Sequence, residues 1–291
     1  MTKIKVVDSV IKELIKKIND DSIDWSKEKQ QLISMIEDGA LVERKWPLKL
    51  IDDHCEDNNA AKILDYGCGS GVLNLLLLLK GYTNVHGVDV IKKFDSRILQ
   101  YMNFNNASFK LINARDTNPL ANDPNNEDEK LPFDDETFDV ITSSLVLEHV
   151  VNPDFYYSEA ARLLKPGGVC FFNFPHRLKP YDSHSRCWFI HYFPKNIRKI
   201  LWDIFSRQGG TYLNNYLYLR TVSTHKRIAL KYFRVAEDRS GNRIKTVNFV
   251  NYKGNSKFRL IASKLMGLKY IGNIFVKIFS LNASTDLYLE K

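Results

Sequence analysis

The stretch DYGCGSG, residues 65–71, sets three glycines between a short apolar run and a helix-like segment with five consecutive leucines. Placed between a strand and a helix, Gly67, Gly69 and Gly71 let the chain turn sharply and leave backbone amides bare enough for a ligand to lie against them. That arrangement suits a nucleotide. Asp89 stands 22 residues after Gly67, at the end of a second strand-like run. Its carboxylate can accept hydrogen bonds from both hydroxyls of a ribose there, or it can cap a helix beginning at VIKKF. Asp65, two residues ahead of the first glycine, would repel a pyrophosphate but attracts a cationic amino group. The G-x-G-x-G spacing and this acid together favour S-adenosylmethionine over a dinucleotide.

A second group of chemistry-bearing residues lies in PHRLKPYDSHSRCWFIHYFP, which holds His176, Asp182, His184 and His191 among aromatics. It follows the strand-like VCFFNFP, and open α/β sheets place ligands beyond the carboxyl ends of their strands. The His-Asp-His spacing is compatible with a metal, but no second ligand cluster supports one, so none is expected. Cys55, Cys68, Cys170 and Cys187 are scattered without a C-x-x-C pair. They speak against a zinc knuckle, a redox pair or a disulfide scaffold, and a reducing, cytoplasmic setting is the expectation.

These residues need a scaffold, and the pattern around them supplies one. From residue 62 the chain reads strand, helix, strand: KILDYG, the leucine helix closed by Gly81, then NVHGVDV and the polar helix KKFDSRILQYMNF. ASFKLINA, TFDVITSS and VCFFNFP read as further strands, NPDFYYSEAARLL as a helix, KPGG as a turn and RDTNPLANDPNNEDEK as a loop. The alternation indicates a mostly parallel sheet with right-handed crossovers, covered on both faces. Residues 1–60 read as an N-terminal helical extension, its second helix broken at Trp46-Pro47. Residues 61–291 form one α/β domain with an insertion over 176–230. Within that domain YFPKNIRKILWDIF and TVSTHKRIALKYF read as helices, FRVAED and STDLYLE as strands.

At 291 residues and 44% hydrophobic composition, the chain can bury a sizeable core. The N-terminus mixes lysines and acids into its apolar positions, unlike a signal peptide, and no long uncharged apolar run predicts a membrane span. The net charge of +8 conceals a division. Residues 1–175 carry 20 Lys+Arg against 28 Asp+Glu, whereas residues 176–291 carry 22 against 6. A basic half on an acidic body points to an anionic partner or to a solvated basic surface. Within it, residues 255–280 set lysines among apolar residues, as in a basic, apolar-rich helix that lies in a membrane interface or packs as a cover on the sheet.

ILDYGCGSG, VHGVDV, LPFDDETFDVITSSLVLEHV and EAARLLKPGG are similar, in order and spacing, to the successive motifs of class I S-adenosylmethionine-dependent methyltransferases. The phrases from LPF through LEHV to LLKPGG resemble the branch called methyltransferase type 11, and the likeness covers roughly residues 60–175. It implies a Rossmann-like, seven-stranded sheet whose last strand is antiparallel. It also implies that Gly67, Cys68 and Gly69 line the methionine part of the cofactor with Asp65 beneath. Asp89 would hold the ribose, Val90 would flank the adenine, and Ser143 and Ser144 would pass near the methionine carboxylate or amine. Asn113 and Ala114 stand where the family has an aspartate and its neighbour near the adenine amino group, and an amide can still accept there.

Methyl transfer to a neutral hydroxyl needs a base, and the resemblance offers two. His149 lies in LEHV where the family's active site opens, and imidazole titrates near the pH at which a base is most useful. His184 matches a histidine in the acceptor segment of type 11 enzymes found with polysaccharide and lipid biosynthesis. The ubiquinone-pathway O-methyltransferases place an acidic metal-binding residue three positions before the glutamate-histidine pair; Leu145 stands there, which argues against their type of metal site. The expected function is O-methylation of a small-molecule, glycan or lipid-linked acceptor of anionic character, in the cytoplasm or peripherally at a membrane. RNA methylation, suggested by the basic half, and an inactive cofactor-binding protein remain alternatives.

Overall fold

The computed structural model describes residues 40–56, 58–69, 71–90, 108–111, 130–182, 187–205, 217–243 and 284–291. Two compact units make up the chain: residues 1–118 with 136–142, and residues 119–135 with 143–291. The expected helices over residues 1–39 and 92–104, the loop over 115–129 and the basic segment 255–280 lie outside the described residues.

The first unit contains helix α1 (Ala40–Cys55), strand β1 (Lys62–Tyr66), helix α2 (Val72–Leu79), β2 (Asn84–Asp89), β3 (Ser108–Leu111) and most of β4 (Phe138–Ser144). β1 pairs with β2 and β4, and β2 with β3, all in parallel. Ile63, Leu64, Val85, Val88, Val140 and Ile141 are buried without alternation, as expected of parallel strands covered on both faces. In register, Asp65 lies opposite Gly87 and Thr142, and Asp89 opposite Leu111, so both acids end up at the carboxyl ends of their strands. Helix α2 buries Leu73, Leu75, Leu76 and Leu77. Its buried Asn74 donates to the His86 carbonyl at 3.0 Å, which fixes the helix to β2.

One expectation fails in this unit. Trp46-Pro47 does not end a helix, because α1 runs through Pro47. Proline removes one backbone bond from the helix interior, but Trp46, Leu48 and Ile51 are buried around it. An ion pair between Lys80 and Asp52, and a 3.0 Å hydrogen bond from Tyr82 Oη to Asp52, bind α1 to the α2 end. Packing on that side outweighs the lost bond.

The second unit holds α3 (Pro153–Leu163), β5 (Leu164–Phe174), the short pair β6 (Tyr181–Asp182) and β7 (Cys187–Trp188), α4 (Lys195–Phe205), α5 (Val222–Ala229), β8 (Val235–Asp238), α6 (Ser240–Arg243) and β9 (Thr285–Glu290). Asn152 caps α3 by accepting from the Phe155 amide at 3.2 Å, with Pro153 at the first helical position. KPGG is not a turn separate from the strand that follows: β5 already starts at Leu164, with left-handed Gly167 (φ 77°) inside it. β9 runs antiparallel to both β5 and β8. The strand order is β3-β2-β1-β4-β5-β9-β8 in a seven-stranded sheet, and the strand latest in the chain is the antiparallel one. No described helix is long and apolar enough to cross a membrane.

Candidate active site

The glycine loop is built by the end of β1 and the start of α2. Gly67, Gly69 and Gly71 have φ of 87°, 54° and 80°, a region that a side chain makes costly. The amides of Gly67 and Cys68 both donate to the Val88 carbonyl, at 2.8 and 3.0 Å, so the loop is pinned to the end of β2. The Asp89 carboxylate accepts from the Gly69 amide at 2.7 Å. The acid expected to hold a ribose therefore also holds the loop. A Cβ placed on Gly69 would meet no atom within 4 Å, so φ demands glycine here, while the space beside the backbone stays open to a ligand.

Asp65 is wholly buried beneath the loop, and so is Cys68, whose amide donates to the Val88 carbonyl and whose carbonyl accepts from the Gly71 amide. Val90, directly after Asp89, is half exposed and can flank a planar ring. An open backbone cradle, a carboxylate at its rim and a buried acid below it fit S-adenosylmethionine. Asn113 and Ala114 lie outside the described residues.

In the second unit, β4 ends in two serines with different fates. Ser143 Oγ lies 2.8 Å from Tyr156 Oη and is engaged within the protein. Ser144 Oγ is buried with no hydrogen-bond partner among the described residues, so it is the better placed of the two to meet a ligand. Leu145 then takes a left-handed conformation (φ 59°), and its amide donates to the Asn173 carbonyl at 2.8 Å. Such strain in a residue with a side chain recurs at ligand sites. The turn it starts closes with the His149 amide on the Val146 carbonyl at 2.8 Å.

Leu147 and Glu148 point inward, and His149 is exposed. Among the described histidines of this unit, His149 is the one open to solvent, since His176, His191 and His225 are buried. His191 sits 3.3 Å from Asp182 and edge-on to Trp202. His225 lies 3.0 Å from Tyr157 Oη, and burial with nearby Arg220 pushes its pKa down to about 3, so it stays neutral. His184 lies outside the described residues. No group of three metal-ligating side chains is found among the described residues.

Sequence reasoning missed a cationic pocket of about 340 Å³ walled by Arg177, Lys195, Arg198, Leu217, Tyr218, Leu219 and Arg220. The segment 217–220 is stitched to the His149 turn: Tyr218 donates to the Glu148 carbonyl at 2.7 Å, and Arg220 to those of Val150 and Val151 at 2.9 and 2.7 Å. The Arg177 amide donates to the Arg220 carbonyl at 2.9 Å. Segments following β4 and β5 thus meet a third strip of chain at the pocket. The signal in the sequence was only the basic excess beyond residue 175.

Residues 64–172 match a family model described as a methyltransferase domain. A ubiquinone biosynthesis O-methyltransferase of Thiobacillus denitrificans is 34% identical over 38% of this chain and 43% of its own length. One of Azoarcus sp. is 33% identical over 44% and 50%. The chain thus spans about half the length of the curated relatives it matches. An S-adenosylmethionine-dependent methyltransferase structure from Mesorhizobium loti aligns at 15% identity and TM-score 0.45, over 80% of this chain and 91% of that one. With the glycine cradle, Asp89 and the strand order in place, residues 64–172 belong to the class I S-adenosylmethionine-dependent methyltransferases, in the type 11 branch.

Proposed function

We propose that the protein methylates an oxygen of a small-molecule or lipid-linked acceptor and works peripherally at a membrane surface. The observation that carries this reading is the open glycine cradle of the first unit, held by Asp89. S-adenosylmethionine supplies a methyl group bound to a sulfonium, an electrophile that needs no further activation. The chain's part is to hold the acceptor oxygen in line and to remove its proton. His149, at the carboxyl end of β4, can take that proton; His184 is the other candidate. Relatives named as ubiquinone biosynthesis O-methyltransferases support an oxygen acceptor on a small molecule.

Membrane contact is supported by α4, which leaves Ile197, Ile200 and Ile204 exposed beside Lys195, Arg198 and Lys199. RNA methylation rests on charge alone and is the weaker reading.

Calorimetric titration of the intact protein with S-adenosylhomocysteine tests the first step. Saturable binding is expected, and its absence in folded protein would sink the proposal. Incubation of cell extract with methyl-labelled donor should then move label into the lipid-extractable fraction. The variant His149→Gln should lower that turnover about 100-fold or more while leaving S-adenosylhomocysteine affinity near the parental value. Parental turnover in this variant would transfer the base assignment to His184.

A further inference from the structure

Four cations surround the pocket beside the His149 turn, and no acid is among the described residues that wall it. Two of them, Lys195 and Arg198, come from the first turn of α4, an eleven-residue helix whose amino end adds partial positive charge of its own. Arg220 donates to the carbonyls of Val150, Val151 and Tyr218, which fix its guanidinium at the pocket wall. Arg198 stacks over Trp202 at 5.1 Å, and its Nε has no hydrogen-bond partner among the described residues.

Burial and the like charge of Arg177 push the pKa of Arg198 down, and Asp182 only partly offsets this. An arginine does not relieve such repulsion by losing its proton. An anion in the pocket would relieve it. Planar guanidinium forks suit phosphate oxygens in particular, and about 340 Å³ falls at the small end of ligand pockets, which run from roughly 300 to 1,000 Å³.

We propose that the pocket walled by Arg177, Lys195, Arg198 and Arg220 binds a phosphate or diphosphate group carried by the methyl acceptor. The proposal rests on the methyltransferase reading, because it makes the pocket the anchor that brings the acceptor to the His149 turn. Its location agrees with that role: Arg177 follows β5, at the strand end where open α/β folds hold ligands, and the 217–220 wall is hydrogen-bonded to the turn after β4.

The test is calorimetric titration of the full chain with inorganic pyrophosphate, alone and with S-adenosylhomocysteine present. One saturable site is expected, weakened at least tenfold in Arg177→Gln and in Arg198→Gln, with S-adenosylhomocysteine affinity unchanged in both. Circular dichroism checks that each variant is folded. Either parent protein that ignores pyrophosphate, or variants that bind it as the parent does, would overturn the anion site while normal S-adenosylhomocysteine binding left the methyltransferase reading standing. Failure to bind S-adenosylhomocysteine would strike that reading instead. Competition by phosphatidate vesicles for the pyrophosphate site would identify a lipid headgroup as the source of the phosphate; competition only by soluble phosphomonoesters would identify a free acceptor.

Discussion

Asp89 has two tasks in one side chain. Its carboxylate accepts the Gly69 amide at 2.7 Å, so the group expected to meet the ribose also sets the glycine loop. Replacing it by alanine removes both, and S-adenosylhomocysteine affinity should fall by about 1 to 3 kcal/mol, roughly 5- to 150-fold. Gly69→Ala separates the two tasks. It leaves Asp89 in place and meets no neighbour within 4 Å, so its cost is the left-handed conformation alone, about 1 to 2 kcal/mol. Titration should find the alanine at position 69 less harmful than that at position 89, and equal losses would mean that the loop's shape, not the carboxylate, carries the binding. These positions were legible in the sequence because bare backbone between a strand and a helix is itself a sequence feature. The cations were not: Arg177 and Arg220 meet only through the folded chain, and nothing local marks either as a ligand group.

Elements, too, were legible to differing degrees. Periodicity placed β1, α2, β2, β4, α3, α4, α5, β8 and β9, since each carries its burial pattern within one short window. It failed at Pro47 and at KPGG, where local preference was overridden by burial around α1 and by the continuation of β5 from Leu164. Helix α5 shows how packing then changes chemistry. Its His225 is enclosed by Tyr157 and Phe174, with ring centroids 6.0 and 4.3 Å away, and its pKa is pushed down to about 3 from an ordinary 6.5. The unfolded chain takes up a proton near pH 6.5 that the folded chain refuses, so this contribution to stability is whole above pH 6.5 and shrinks as pH falls towards 3. The loss approaches about 1.4 kcal/mol per pH unit. Carboxylates add their own losses below about pH 5, which leaves pH 5 to 6.5 as the diagnostic window. Denaturant unfolding should show a shallower pH slope there for His225→Gln than for the parent; parallel slopes would mean that His225 titrates in the folded protein.

At the scale of the whole molecule, charge and apolar exposure converge on one region. The basic excess lies beyond residue 175, and eight of the ten large hydrophobic side chains found exposed fall between Leu178 and Ile204. Ile197, Ile200 and Ile204 follow the helical repeat on α4, and Ile200 and Ile204 remain 59% and 66% exposed while Trp202 on the same helix is wholly buried. Trp188, Phe189, Tyr192 and Phe193 are exposed just ahead of the helix. Apolar and aromatic side chains beside Lys195, Arg198 and Lys199 have the composition of a surface that settles into the headgroup layer of an anionic bilayer. A second copy of the chain would match the apolar stripe but would bring the same positive charge to it. The intact protein should therefore co-sediment with phosphatidylglycerol vesicles and not with phosphatidylcholine vesicles, and salt should weaken the binding because the Debye length shortens to about 3 Å at 1 M. The double change Ile200→Ser with Ile204→Ser should abolish most of it without lowering S-adenosylhomocysteine affinity, since neither residue belongs to the glycine cradle. Parental vesicle binding in that variant would exclude α4 as the docking element, and a concentration-dependent dimer that the double change dissolves would assign the stripe to self-association instead.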